Sequence, residues 1–172
     1  MSSIMTNNEV QVILSDCHQE LESIKALLTG LGAAANPTPY IKKYAVIRAS
    51  GSIETAFKKI IADRIDSESN IQVKNFIKRK IRDSSCNPKL SQIENMLTEF
   101  DSRWRNRFDE QISLDDKPRL KGSLTVLVDA RNDFAHGGNP DLDIDNTIQH
   151  FLDGVRVINI LDAVLQHNYD DE

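Results

Sequence analysis

Apolar residues recur along this chain at helical intervals, and no stretch sustains the two-residue alternation of a strand. Over residues 4–31, Val10, Leu14, Cys17, Leu21, Ile24, Leu28 and Leu31 alternate steps of four and three, the pattern of one buried helical face. Gly30 and Gly32 supply its stop. After a linker, Ala33–Pro39, a second helix is predicted from Tyr40 to Ile65, with Ile41, Tyr44, Ile47, Phe57, Ile60 and Ile61 on its buried side. Residues 71–82 read as an amphipathic helix, with Ile71, Val73, Phe76, Ile77 and Ile81 opposite the basic residues. Asp83–Pro88 reads as a loop, and Leu90, Ile93, Met96, Leu97 and Phe100 mark a helix for which Asn87-Pro88 is a start. Acids and an early proline at Asp115–Pro118 open the next helix, which carries Leu120, Leu124, Leu127, Val128 and Phe134 and stops at Gly137-Gly138-Asn-Pro140. Asp141–Asp145 leads into a last helix running from Ile144 to Leu165. The expected fold is all-α: a single-domain antiparallel helical bundle over 1–172, with a core of 4–168 and a frayed acidic tail at 169–172.

Composition agrees with that expectation. A length of 172 residues suits one domain, and only 7 glycines and 5 prolines favour long helices over a turn-rich β fold. The N-terminus has no basic region followed by an apolar one, and no run of about 18 apolar residues exists, so neither a signal peptide nor a membrane span is expected. The 2 cysteines, Cys17 and Cys86, lack metal spacing, and a reducing cytoplasm is the expected setting.

Charge is unevenly spread. The net charge of −5 argues weakly against a nucleic-acid partner. Yet residues 71–107 hold nine Lys/Arg against four acids, whereas residues 141–172 hold eight acids against Arg156. The middle can meet phosphates and the end repels them. Lys74, Lys78, Arg79, Arg103 and Arg105 are the candidate RNA contacts, Arg103 and Arg105 flanking the only tryptophan. Aromatic and arginine side chains together can stack on bases; more often such a tryptophan is core and the arginines face solvent.

The residue types that do chemistry gather at the exit of one helix: Arg131, Asn132, Asp133 and His136, just before two glycines. Asn132 and His136, four apart, share a helical face. Arg131 and His136, five apart, lie about 140° from each other on a regular helix. They could reach one phosphate if the last turn unwinds at Gly137-Gly138, or if a two-fold dimer sets two such strips face to face. Histidine suits proton movement near neutral pH, and arginine suits the charge of a pentavalent phosphorus. Asp129 and Asp133 are a weak metal signal, and neither metal nor cofactor is expected. In the second helix Arg48 and Glu54 point toward apolar positions, where an unpaired charge is costly. They are either a structural pair or polar support for a site.

The stretch Arg131-Asn132-Asp-Phe-Ala-His136 resembles the R-x4–6-H motif of the HEPN superfamily, in which the residue after arginine is typically Asn, Asp or His. The segment Val46–Glu54 resembles the RiboL-PSP-HEPN branch. The resemblance covers roughly Tyr40–Ile61 and Leu120–Leu165. It implies a metal-independent endoribonuclease, dimeric, with its cleft at the protomer interface and Arg131, His136 and supporting Asn132 from both chains. It also implies a toxin or antiviral effector held off by an antitoxin or another regulatory protein. Some toxins of the superfamily carry a tyrosine two residues after the histidine that a nucleotidyltransferase antitoxin modifies; here that position is Gly138, which puts such control in doubt. The alternative is a non-catalytic HEPN-like module that binds a nucleotide or a protein through the same groove. Glu54, Arg48 and Asp133 are expected to support the site.

Overall fold

The computed structural model describes residues 5–32, 35–67, 69–139 and 141–169. Among them are seven α-helices: α1 (Asn8–Leu31), α2 (Thr38–Asp66), α3 (Ile71–Ile77), α4 (Leu90–Phe100), α5 (Ser102–Leu114), α6 (Lys117–Ala135) and α7 (Ile144–Leu165). A π turn, Lys78–Arg82, continues α3. Local chemistry starts most of them. The side chains of Asn7, Asn70, Asp101, Asp116 and Asp143 each accept a backbone N–H of the first turn, the role that caps a helix N-terminus. The chain is an all-α bundle with no strand among the described residues. None of its helices is long and apolar enough to cross a membrane.

The core is built on α2 and α7, which pack on each other and on α1 and α6. The stripe of α1 from Val10 to Leu28 is buried as its spacing predicts, while Leu31 is exposed. In α2 Phe57, Ile60 and Ile61 are buried as predicted and Ile41 packs on the core, but the middle of the predicted side is not buried. Tyr44 is 50% exposed and Ile47 49%, and Ala45, Val46, Ala49, Ile53 and Ala56 are buried in their place. Alanines let neighbouring helices approach closely, so around residues 45–56 the contact side of α2 is the one that carries them. Only Ile77 and Ile81 of the 71–82 segment are buried, against Ala62, Ile65 and Met96. Ile71, Val73 and Phe76 face outward. α5, which the pattern did not single out, buries Phe108 and Ile112 and lays Trp104 against the core.

The predicted tail is corrected at its first residue. Tyr169 is buried, and its hydroxyl donates to the Val164 carbonyl at 2.8 Å. Residues 170–172 lie outside the described residues, as do Ile4, Ala33, Ala34 and Pro140, which the predicted core, linker and helix stop include.

α6 and α7 are locked together by a buried polar cluster. Asp153 on α7 accepts from Arg119 Nε and Nη2, both at 3.0 Å, and from Ser123 Oγ at 2.7 Å. Ser123 Oγ in turn meets His150 Nδ1 at 3.0 Å, and burial holds that imidazole below its ordinary pKa. This pairing orients α6 and so fixes where its C-terminal end emerges. One residue on, Gly154 lets three helices converge. A Cβ there would lie 2.9 Å from Ile53 Cδ1 on α2 and 3.3 Å from Leu124 Cδ2 on α6. Gly154→Ala gains about 1 kcal/mol of helix propensity but overpacks a fully buried contact, at a cost of about 1–3 kcal/mol. The variant is expected to be less stable by about 1 kcal/mol in urea denaturation, and Gly154→Val by more.

Candidate active site

α6 ends in a Schellman turn. The N–H of Gly138 reaches the Asp133 carbonyl at 2.8 Å and that of Gly137 reaches the Phe134 carbonyl at 3.1 Å. Gly137 sits at φ +85°, a conformation L side chains rarely adopt. Gly138 packs under the Asp133 carboxylate so closely that any Cβ there would collide with it. His136 is the helix cap, and its N–H is still held by the Asn132 and Asp133 carbonyls at 3.1 Å each. The helix therefore stays wound through the motif. The expected unwinding that would swing His136 toward Arg131 within one protomer does not occur. The His136 side chain is exposed and makes no hydrogen bond to any described residue.

Arg131 turns the other way, inward. Its Nη1 donates to Asn87 Oδ1 at 2.9 Å and lies 3.4 Å from Asn132 Oδ1. Its Nη2 stands 3.7 Å from Glu54 Oε2, with side-chain exposures of 29% for Arg131 and 12% for Glu54. A separation of 3.7 Å is too long for a hydrogen bond, so Glu54 attracts the guanidinium without occupying its donors. Nε–H and the Nη2 edge stay available to an anion.

Glu54 also organises the loop that carries Asn87. Its Oε1 accepts the backbone N–H of Cys86 at 2.9 Å and lies 3.3 Å from Lys58 Nζ. Lys58, itself buried, donates onward to the Ser84 carbonyl. Farther along, Lys89 pairs with Asp129 of α6 at 2.7 Å. The loop 84–89 is thus tied to α2 by two bonds and to α6 by two more. Burial, with the nearby Glu54 charge, raises the Cys86 thiol above its ordinary pKa, which keeps it a poor nucleophile.

The other predicted residues separate into groups. Asn132 is half-buried beside Arg131, and Asp133 is exposed over Gly138. Arg48 does not support the site. It faces α1, bonded to Glu20 at 2.6 Å and to Ser52, because six residues of helix turn it well away from Glu54. Arg103 is engaged with Asp101 at 2.8 Å and with the Tyr169 carbonyl at 3.2 Å. Arg105 lies 3.6 Å from Asp109 and 3.9 Å from Glu94. Trp104 packs on the core, so the Arg–Trp stretch is not an open stacking platform. Lys74, Lys78 and Arg79 are exposed on α3 and the π turn. Sequence reading missed Asn87, Lys58 and the Ser84–Cys86 backbone. Asn87-Pro88 signalled only a helix start, and nothing in the order of residues links it to Arg131, 44 positions away. No cluster of three or more His, Cys, Asp or Glu placed to hold a metal exists among the described residues.

A family model matches nearly the whole chain. The RiboL-PSP-HEPN family model covers residues 13–167. The chain belongs to the RiboL-PSP-HEPN family. The match runs from within α1 to just past the end of α7, and so takes in most of α1 and the basic middle, where the motif alone gave only a general likeness. No curated protein and no solved structure matches the chain. As a HEPN-type module, this RiboL-PSP-HEPN chain carries the arginine and histidine of its motif about 140° apart at one helix end.

The Glu54 clamp makes a specific demand. Glu54→Ala removes the counter-charge of a buried Lys58 and an acceptor for Cys86, and should cost about 3 kcal/mol. Asn87→Ala leaves both groups paired, should cost about 1 kcal/mol, and should free the Arg131 guanidinium. NMR of the arginine side chains is the readout: the Arg131 Nη groups are expected to rotate faster in Asn87→Ala than in wild type, with the other arginines unchanged.

Proposed function

We propose that this chain is a metal-independent endoribonuclease whose reacting groups come from two protomers of a homodimer, acting as a toxin or antiviral defence effector. The observation that carries the reading is the division of labour at the end of α6. Arg131 is held inward by Glu54 and Asn87 with two donor edges open, while His136 stands outward with both ring nitrogens unengaged by described residues. On a helix that stays wound, the two side chains leave about 140° apart, which favours a cleft completed by a second protomer. A two-fold pairing of the α6 ends gives one cleft two arginines and two histidines. The Glu54 charge offsets the repulsion between the arginines.

In such a cleft one His136 imidazole takes the proton of the ribose 2′-hydroxyl. The 2′ oxygen bonds to phosphorus, and Arg131 neutralises the pentavalent charge. The bond from phosphorus to the 5′ oxygen breaks, and the other His136, as imidazolium, protonates the leaving oxygen. The nucleophile belongs to the RNA. Asn132, beside Arg131, supports the phosphate. Control of the activity falls to an inhibitory antitoxin or another regulatory protein.

A second reading, a non-catalytic module that binds a nucleotide or protein in the same groove, is favoured by the net charge of −5. Purified protein incubated with RNA in EDTA separates the two. The endoribonuclease reading expects cleavage that leaves a 2′,3′-cyclic phosphate and a 5′-hydroxyl. His136→Ala and Arg131→Ala should each lower the rate by at least about 100-fold with fold and dimer intact. Wild-type rates in both variants, or a 5′-phosphate product, would contradict it.

A further inference from the structure

One element is left unpartnered by the fold. The segment 71–82 touches the rest of the chain through Ile77 and Ile81, which cover Ala62, Ile65 and Met96. Arg82 pairs with Asp63 at 2.7 Å and Asp66 at 2.6 Å on α2. These few contacts anchor it, and everything else on it faces outward. Ile71 is 63% exposed and Phe76 58%. Lys74, Lys78, Arg79 and Lys80 are exposed and pair with no described residue. The arginines near Trp104 differ in this respect, being engaged within the chain. The π turn, closed by the Asp83 N–H on the Lys78 carbonyl at 2.9 Å, places three consecutive cations on a wide backbone loop. Such turns are rare and frequent at functional sites.

The chain then leads from these cations to the site. From the π turn against Ala62 it runs back along α2. Ser84 meets Lys58 and Cys86 meets Glu54, and the next residue, Asn87, holds Arg131. Ala62 and Glu54 are eight residues apart, about 12 Å of helix. A strand of a few nucleotides can span that interval.

We infer that α3 and the π turn form a binding surface for single-stranded RNA, with Phe76 stacking on a base and Lys74, Lys78 and Arg79 pairing with phosphates of the strand that enters at Arg131. The inference rests on reading the Arg131 site as one that cleaves RNA. Charge complementarity selects the occupant: four exposed cations and an exposed phenylalanine on one short segment, with Asp83 the one exposed acid beside them, match a phosphate chain that carries bases.

The test is equilibrium binding of a fluorescent single-stranded RNA to His136→Ala protein, which removes turnover from the measurement. Exchanging Lys74, Lys78 and Arg79 together for Gln should weaken binding at least tenfold and flatten the log–log salt dependence by about two, near 0.7 for each phosphate no longer neutralised. Phe76→Leu keeps the apolar surface and loses the stack, and should weaken RNA binding about fivefold or more. All these positions are exposed, so the variants should melt like the parent. Unchanged RNA affinity in both variants overturns the inference. So does binding to phosphatidylserine vesicles that the triple variant abolishes while RNA affinity is untouched, because the segment would then be a membrane-surface element. Wild-type cleavage in EDTA is scored separately: RNA bound through this surface without cleavage would sustain the inference and sink the nuclease reading.

Discussion

The constraint on which the rest depends is a charge placed where charges are expensive. Glu54 sits in the middle of α2 with 12% of its side chain exposed, next to Arg131 of α6. A lone carboxylate so placed would be costly. Here it is shared among a buried lysine, a backbone N–H and the guanidinium. The consequence is geometric. One side chain fixes the loop 84–87 against α2 and, through Asn87, fixes the Arg131 side chain against both. The arginine is preorganised and incompletely neutralised, the state in which it can meet a phosphate without rearranging.

The scaffold around this constraint is rigid for ordinary reasons. α6 is clamped to α7 by Asp153 and its partners, and Gly154 brings α2 within reach of both. The Schellman turn at Gly137 and Gly138 then stops α6 without unwinding it, so His136 keeps its helical direction, away from Arg131. A side chain at position 138 would displace the Asp133 carboxylate that covers Gly138.

Much of the fold was legible from the spacing of large apolar residues. α1 and α7 present long stripes in steps of three and four, and the start of α6 is written in Asp116 and Pro118. α2 was placed correctly, and its face was read correctly at Phe57, Ile60 and Ile61 but not at Tyr44 and Ile47. Its contacts are made through Ala45, Ala49 and Ala56, whose small side chains carry little hydrophobic signal, while Tyr44 and Ile47 draw the eye and face solvent. The motif residues could be read because they adjoin one another in the chain. Asn87 could not, because what makes it part of the site is the fold of a loop, and Arg48 was misassigned because six residues of helix turn it about 120° away from Glu54. Charge counting found the basic middle of the chain. Only the structure sorts its arginines already paired inside the fold from the cations left outside it.

The proposal that one protomer is an incomplete site is tested most directly by a subunit-mixing experiment. Wild-type and His136→Ala chains are unfolded together in equal amounts, refolded so that dimers form at random, and assayed on RNA in EDTA. A cleft that needs His136 from both protomers leaves only wild-type pairs active, so about a quarter of the activity of the same total amount of wild-type protein is expected. Recovery of half the wild-type activity would contradict a cleft that needs both histidines.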